Sequence, residues 1–356
     1  MEHLQCLDAE GLPVGQLPAF AEDREALLAM YRAMVLARTF DAKAVSLQRT
    51  GRLGTYASAL GQEAVSVGTA SAMRSEDVFL PSFREHGGQL VRGVTLVELF
   101  LFWGGDERGN VFAGPRHDFP VSIPVGSHAP HAVGVALAMK LRREPRAAVA
   151  VIGDGATSKG DVYEALNFAG VWRTPVIFVI NNNRWAISVP VEKQTASRTL
   201  AQKAIAAGIE GLQVDGNDVI AVRAAVERGL ERARGGGGAA WIEAVTYRLG
   251  DHTTADDASR YRDDALVSPH WHDEPIARLR RHLVHRGMLQ KNDEESLLED
   301  CRSAVEAAAN EYMATPPQDP LSMFDHLFAV SPADLKRQRE AFAATMTVTT
   351  SPRSTR

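Results

Sequence analysis

In the middle of the chain, apolar runs alternate with helical patterns, and that alternation restricts the fold more than any other feature of the sequence. Ala147–Ile152 and Pro175–Ile180 are continuous apolar runs, long enough for buried strands and too short for buried helices. Ala132–Leu141 and Asp161–Val171 carry helical spacing before and between them. Gly211–Asp215 and Trp241–Tyr247 read as two further strands, with the helix Asp218–Ala233 between them. Such a succession predicts an α/β fold, an open and mostly parallel sheet flanked by helices.

Helical periodicity also lies on both sides of this region. Leu27, Tyr31, Met34 and Val35 belong to a long amphipathic pattern from Asp23 to Arg49 that Gly51 stops. Further helices are predicted at Gln62–Met73 and Leu96–Trp103, and the chain past Asp273 is mostly helical. The polar stretch Pro81–Gly88 and the Gly- and Pro-rich Gly104–Pro124 read as irregular. The tetraglycine Gly235–Gly238 reads as a flexible surface turn. Gly11, Pro13, Gly15 and Pro18 make residues 1–22 an extended arm. Residues 23–344 then form one domain with helical N- and C-terminal extensions, and 345–356 a disordered tail.

Composition narrows the function. With 39 Lys+Arg against 44 Asp+Glu and no basic run, the chain lacks an electrostatic footprint for nucleic acid. No window of about 20 apolar residues and no signal-peptide pattern occurs, which predicts a cytoplasmic protein without a membrane partner. Cys6 and Cys301 lie too far apart in sequence to suggest a disulfide framework or metal cluster. A small-molecule enzyme or an assembly subunit remains.

Parallel strands bring their carboxyl ends to one edge, where open α/β sheets bind ligands. The first apolar run ends at Gly153-Asp154-Gly155 and the second at Asn181-Asn182-Asn183. One carboxylate on a glycine turn before a helix, beside neutral amide oxygens, suits a divalent ion bridged to phosphate. The pair therefore predicts a magnesium diphosphate site. Each motif alone is weak, since Asp-Gly and Asn-rich exits are usually plain turns.

The spacing adds specificity. Gly153-Asp154-Gly155, one helix and one strand, then Asn182-Asn183 resembles the fingerprint of thiamine-diphosphate enzymes. From about Asp23 to Lys336 the chain resembles the alpha subunits of the decarboxylating first component of 2-oxo acid dehydrogenase complexes. The matching segments include Gly51–Tyr56, Gly61–Ala64, Phe83–His86, Gly160-Asp161, Asn167–Ala169, Val191–Thr195, Val214–Asp218 and Tyr247–Arg262.

That resemblance implies a thiamine-diphosphate-binding fold and oxidative decarboxylation of a small 2-oxo acid, with the acyl group passing to lipoyl on an acyltransferase component. It implies Mg²⁺ held by the side chains of Asp154 and Asn183 and the backbone carbonyl of Trp185. Gly155 and Ala156 would offer N–H groups to the diphosphate, and Arg84 would pair with a phosphate oxygen. Phe83 stands where the family usually carries a tyrosine whose hydroxyl reaches the diphosphate. Ile123 and Val125 fall where backbone groups touch the aminopyrimidine, which leaves their side chains free to be core residues. His252, on a flexible polar loop Gly250–Arg262, would face the cofactor and act in acyl transfer. Thr253 replaces a serine that mitochondrial relatives phosphorylate. Tyr56, Ser82 and His86 are the expected substrate-pocket neighbours.

Only one α/β succession is visible, so the resemblance further implies that the pyrimidine-side glutamate comes from a beta subunit in an α2β2 heterotetramer. Val191–Ile205 looks closer to pyruvate-type relatives, while Trp103–Asp106 and Tyr247–Arg262 also resemble branched-chain members. Pyruvate is the expected substrate. Branched-chain 2-oxo acids, acetoin, a phosphomutase-type enzyme and a catalytically inactive assembly subunit are the alternatives.

Overall fold

A computed structural model describes residues 1–349. Two compact units divide at Met313/Ala314. The first carries a six-stranded sheet built from β1 (His3–Leu4), β2 (Val78–Leu80), β3 (Ala148–Gly153), β4 (Val176–Asn182), β7 (Glu210–Asp215) and β8 (Ala240–Val245). A separate small hairpin pairs β5 (Trp185–Ala186) with β6 (Val189–Pro190). In the sheet the order is β1-β7-β8-β4-β3-β2, and every neighbouring pair is parallel.

The apolar runs have a direct cause. Val149, Val151, Ile177 and Val179 face one core, and Ala150, Ile152, Phe178 and Ile180 face the other. Strands buried on both sides need apolar residues at every position, as parallel sheets covered by helices do. On the first face lie the helices α1 (Arg24–Arg49) and α2 (Glu63–Ser71), with the helix Val219–Arg232. Two short helices, α3 (His86–Arg92) and α4 (Leu96–Trp103), continue from the loop after β2. The second face is covered by α5 (His128–Leu141) and α6 (Gly160–Trp172).

The start of the chain is packed rather than free. β1 adds to the sheet edge beside β7, and the Cys6 and Leu7 amides donate to the Asp218 carboxylate at 2.7 and 2.6 Å. That carboxylate also caps the helix Val219–Arg232 through Ile220 and Ala221, so one buried side chain ties the arm to the sheet. The tetraglycine forms a wide helical turn with Gly236 at φ 80° and Gly238 at φ 84°, conformations that glycine adopts without strain.

The second unit holds a short 3₁₀ turn, Pro320–Phe324, and a helix, Ala333–Thr349. Phe324 and Phe342 pack with ring centroids 6.2 Å apart. The helix thus includes residues 345–349 of the segment read from sequence as a disordered tail, and residues 350–356 lie outside those described. The domain boundary read at residue 344 has no counterpart, since the division falls near 313.

Candidate active site

β3 and β4 lie in register with Gly153 opposite Asn181, which brings the Gly-Asp-Gly turn and the Asn triplet together at one sheet edge. A cavity of about 490 Å³ opens there. Asp154, Gly155, Ala156, Asn183 and Trp185 line it from the sheet edge. Phe83, Arg84, Ser82, Ile123, Val125 and His252 line it from surrounding loops.

Asp154 is buried, and desolvation pushes its carboxyl above the ordinary range against the opposing hydrogen bond from Gln194. Gln194 Nε2 donates to Asp154 Oδ2 at 2.8 Å and to the Val189 carbonyl at 3.0 Å. Only one carboxylate oxygen is therefore engaged by that clamp. Asn183 Nδ2 donates to Gln62 Oε1 at 2.8 Å, which orients Oδ1 to accept from the Trp185 amide at 3.1 Å. At Gly155 an added Cβ would lie 2.7 Å from the Ala186 Cβ, so glycine alone permits this close approach of turn and hairpin.

Two buried arginines complete the electrostatics. Arg84 donates Nη2 to the His252 carbonyl at 2.8 Å and contacts its Nδ1 at 3.0 Å, while Nη1 donates to the Ser58 carbonyl. Arg248 donates to the Ile187 carbonyl at 2.9 Å, to Tyr261 Oη at 2.8 Å and to the Trp185 carbonyl at 3.5 Å. Among the described residues neither guanidinium pairs with a carboxylate, although both are at most 5% exposed. Burial, with repulsion from Arg248, holds Arg84 down to about 10, and burial, with repulsion from Arg262, lowers Arg248 as well. Arg84 lines the cavity and Arg248 does not, and a buried cation without a carboxylate partner at a cavity wall calls for an anion.

The donor set fits a diphosphate with a divalent ion. No group of three or more His, Cys, Asp or Glu gathers among the described residues, so protein side chains alone do not build a metal cage. One carboxylate, one amide oxygen and one carbonyl leave about half the positions of an octahedral, oxygen-loving cation to phosphate and water. Gln62 Nε2 and Asn181 Oδ1 are buried without a partner at the cavity wall, further polar atoms that a bound group could satisfy.

Comparison with known proteins decides the family. The Dehydrogenase E1 component family model matches residues 31–321. The 3-methyl-2-oxobutanoate dehydrogenase subunit alpha of Mycobacterium tuberculosis (strain H37Rv form) is 39% identical over 345 residues, covering 97% of this chain and 94% of the relative. The pyruvate dehydrogenase E1 component subunit alpha of Acholeplasma laidlawii is 40% identical over 321 residues, 89% of this chain and 92% of the relative. Its namesake in Bacillus subtilis is 38% identical over 341 residues, 95% and 91% respectively. The chain belongs to the dehydrogenase E1 component family.

Membership implies thiamine diphosphate as the cofactor of this E1 chain. Several residues read from sequence stand in different places from those expected. Tyr56 and His86 do not reach the cavity; both are fully buried behind it, with Tyr56 Oη donating to Asp41 Oδ1 at 2.7 Å. Ser82 does line it, with Oγ donating to Glu85 at 2.6 Å. Ile123 and Val125 are half-exposed at 51% and 47%, so they are not core residues; they form an apolar rim with Ile187. Phe83 meets His252 edge-on at 6.2 Å.

The loop 250–262 of this E1 chain is closely tied, contrary to the expectation of a flexible segment. Arg262 donates to the carbonyls of Arg248 and Gly250 at 2.5 and 2.9 Å, and Tyr261 Oη donates to Asp256. His252 N donates to Asp256 Oδ2 at 2.9 Å. Burial and the two arginine charges push the His252 imidazole down to about 4, so it is neutral near pH 7. With Nδ1 accepting from Arg84, the proton sits on Nε2. Gln62, Gln194 and Arg248 all lie in the segments that match the family, yet their chemistry needed the tertiary contacts to become visible.

Proposed function

We propose that this chain is the alpha subunit of a thiamine-diphosphate-dependent 2-oxo acid dehydrogenase that oxidatively decarboxylates pyruvate. It would pass the acetyl group to lipoyl on an acyltransferase component. The observation that carries this reading is the pair of buried guanidiniums without carboxylate partners, set against the Asp154 and Asn183 edge of an E1 fold. The names of the relatives, pyruvate and 3-methyl-2-oxobutanoate dehydrogenases, support the 2-oxo acid class.

Thiamine diphosphate, when bound, supplies the nucleophilic carbon for the 2-oxo carbonyl and accepts the electron pair released with CO₂. Asp154, Asn183 Oδ1 and the Trp185 carbonyl would hold Mg²⁺ against the diphosphate. Gln194 keeps Asp154 in one orientation, as second ligand shells do for metal sites. Arg84 and Arg248 would offset the phosphate charge, and the Gly155 and Ala156 amides would offer it donors. His252 holds a proton on Nε2, from which it would protonate the thiolate released when the lipoyl disulfide opens during acyl transfer. Its neighbour Thr253 carries no proposed regulatory role.

Ile123, Val125 and Ile187 leave the rim apolar and exposed, which suits cover by a beta subunit that excludes water and supplies the pyrimidine-side glutamate in an α2β2 assembly. A cytoplasmic location suits this reading, and no helix among the described residues is long and apolar enough to cross a membrane. The test is co-expression with the beta subunit, followed by acetylation of a lipoyl domain with pyruvate, thiamine diphosphate and Mg²⁺. Acetylation that requires all three is expected. A complex that binds the cofactor yet turns over no 2-oxo acid would overturn the reading. Branched-chain substrates are the second reading, favoured by the Mycobacterium tuberculosis relative.

A further inference from the structure

One residue at the mouth of the cavity holds a backbone conformation that its own side chain disfavours. The hairpin of β5 and β6 pairs Trp185 with Pro190 and Ala186 with Val189, which leaves Ile187 and Ser188 as a two-residue turn. Such turns take positive φ at their first central position, where glycine or asparagine is the usual choice. Here that position is Ile187, at φ 55°. Arg143, Arg173 and Arg184 are the other described non-glycine residues with positive φ, and none of them is branched at Cβ. A β-branched residue in this region is a steric outlier, and glycine would close the same turn without the clash.

The core does not use the side chain. Ile187 is 55% exposed and joins none of the apolar clusters, yet it lines the cavity. Strain kept at the edge of a binding site, with no packing in return, points to a side chain that meets a ligand.

The turn is also clamped where it stands. Arg248 Nη2 donates to the Ile187 carbonyl at 2.9 Å. On the returning strand, Gln194 Nε2 ties the Val189 carbonyl at 3.0 Å to Asp154 Oδ2 at 2.8 Å. Ala186, the residue before the turn, is the one whose approach leaves no room for a Cβ at Gly155. The hairpin is thus pressed onto the Asp154-Gly155 turn, and Ile187 adds an apolar surface beside the groups expected to hold the diphosphate.

Resting on the thiamine-diphosphate reading above, we propose that Ile187 packs on the ring portion of the bound cofactor and slows its release, and that the strained turn is kept for this contact. Charge holds the diphosphate, whereas the rings need an apolar surface. Burying one isoleucine side chain against a ligand is worth about ten- to a hundredfold in affinity.

The test uses the complex with its beta subunit and needs no turnover. Calorimetric titration with Mg²⁺ present compares thiamine diphosphate with inorganic pyrophosphate, which carries the same charged group without the rings. Ile187→Gly and Ile187→Ala are both expected to weaken thiamine diphosphate about ten- to a hundredfold and to speed its dissociation, with pyrophosphate affinity near the wild-type value. Ile187→Met, which keeps an apolar side chain, is expected to retain most of the affinity. In the cofactor-free complex, Ile187→Gly is expected to unfold at a higher temperature than Ile187→Ala, because only glycine relieves the turn. Unchanged thiamine diphosphate affinity in both truncated variants would overturn the inference. So would an equal loss for pyrophosphate, which would mean that the hairpin had moved the metal site, or an Ile187→Gly complex less stable than the Ile187→Ala complex. No Mg²⁺-dependent binding of thiamine diphosphate by the wild-type complex would instead remove the underlying reading, and this inference with it.

Discussion

The two sides of the cavity are built by different physics. Asp154 and Asn183 sit on the ends of central strands whose side chains are buried on both faces, so the sheet ladder fixes them. His252 sits on a loop with only a small apolar cluster, Trp185, Tyr247, Leu249 and Val267 with Tyr261, and it is held largely by polar contacts around Arg248, Asp256 and Arg262. The ladder therefore sets the backbone of the sheet edge, and Gln194 and Gln62 orient its side chains, whereas the loop depends on individual side chains for its backbone path as well. On the proposed reading, the first side carries the metal and diphosphate ligands, and the second carries the residue that handles the acyl group.

That contrast is broken most directly by Asp154→Ala. Mg²⁺-dependent affinity for thiamine diphosphate is expected to fall by more than about a hundredfold, beyond the loss typical of outer-shell changes. Calorimetric titration of the complex measures it, and near-wild-type affinity would show that the edge does not hold the ion. On the loop side, His252→Ala is expected to slow acyl transfer to lipoyl by about a hundredfold, the scale of a lost proton donor. Decarboxylation followed with an artificial electron acceptor should fall much less, and equal losses in both assays would contradict the division.

A smaller effect comes from Arg262→Ala. It leaves the buried carbonyl of Arg248 without its Arg262 donor and the Gly250 carbonyl with only the longer bond from Arg248 Nε, costing about 1–3 kcal/mol. Limited proteolysis within residues 250–262 is expected to speed up about tenfold, with cofactor affinity little changed. A parallel collapse in affinity would mean that the two sides are one cooperative unit.

The smallest effect is in pH. His252 titrates near 4 and His86 near 3 in the folded chain, against about 6.5 when unfolded. Between those values the unfolded state binds more protons, so stability is full above about pH 6.5 and is lost as pH falls towards 4 and then 3. Chemical denaturation of His252→Gln across this window should show a shallower acid slope than wild type. An identical slope would indicate that the histidine is not desolvated by the loop.

The same contrast explains what could be read from sequence. β3 and β4 were predicted to within two residues because continuous apolar runs report strands buried on both faces. β1 and β2 left no such signal, being strands of two and three residues at the two edges of the sheet. Asp154, Asn183, Arg84 and His252 could be placed by the spacing and resemblance of their segments. The layer behind the wall could not, since Tyr56 and His86 are neighbours of Trp103 only through tertiary contacts. Arg262 anchors the loop through backbone carbonyls, a partnership that residue types alone do not announce.

The central claim is that a chain with a complete core carries only half of an active site. The direct measurement is decarboxylation of pyruvate, with thiamine diphosphate and Mg²⁺ present, by the purified chain alone, by the beta subunit alone and by the two mixed. Activity only in the mixture is the expected result. Full-rate decarboxylation by this chain without a second polypeptide would contradict it.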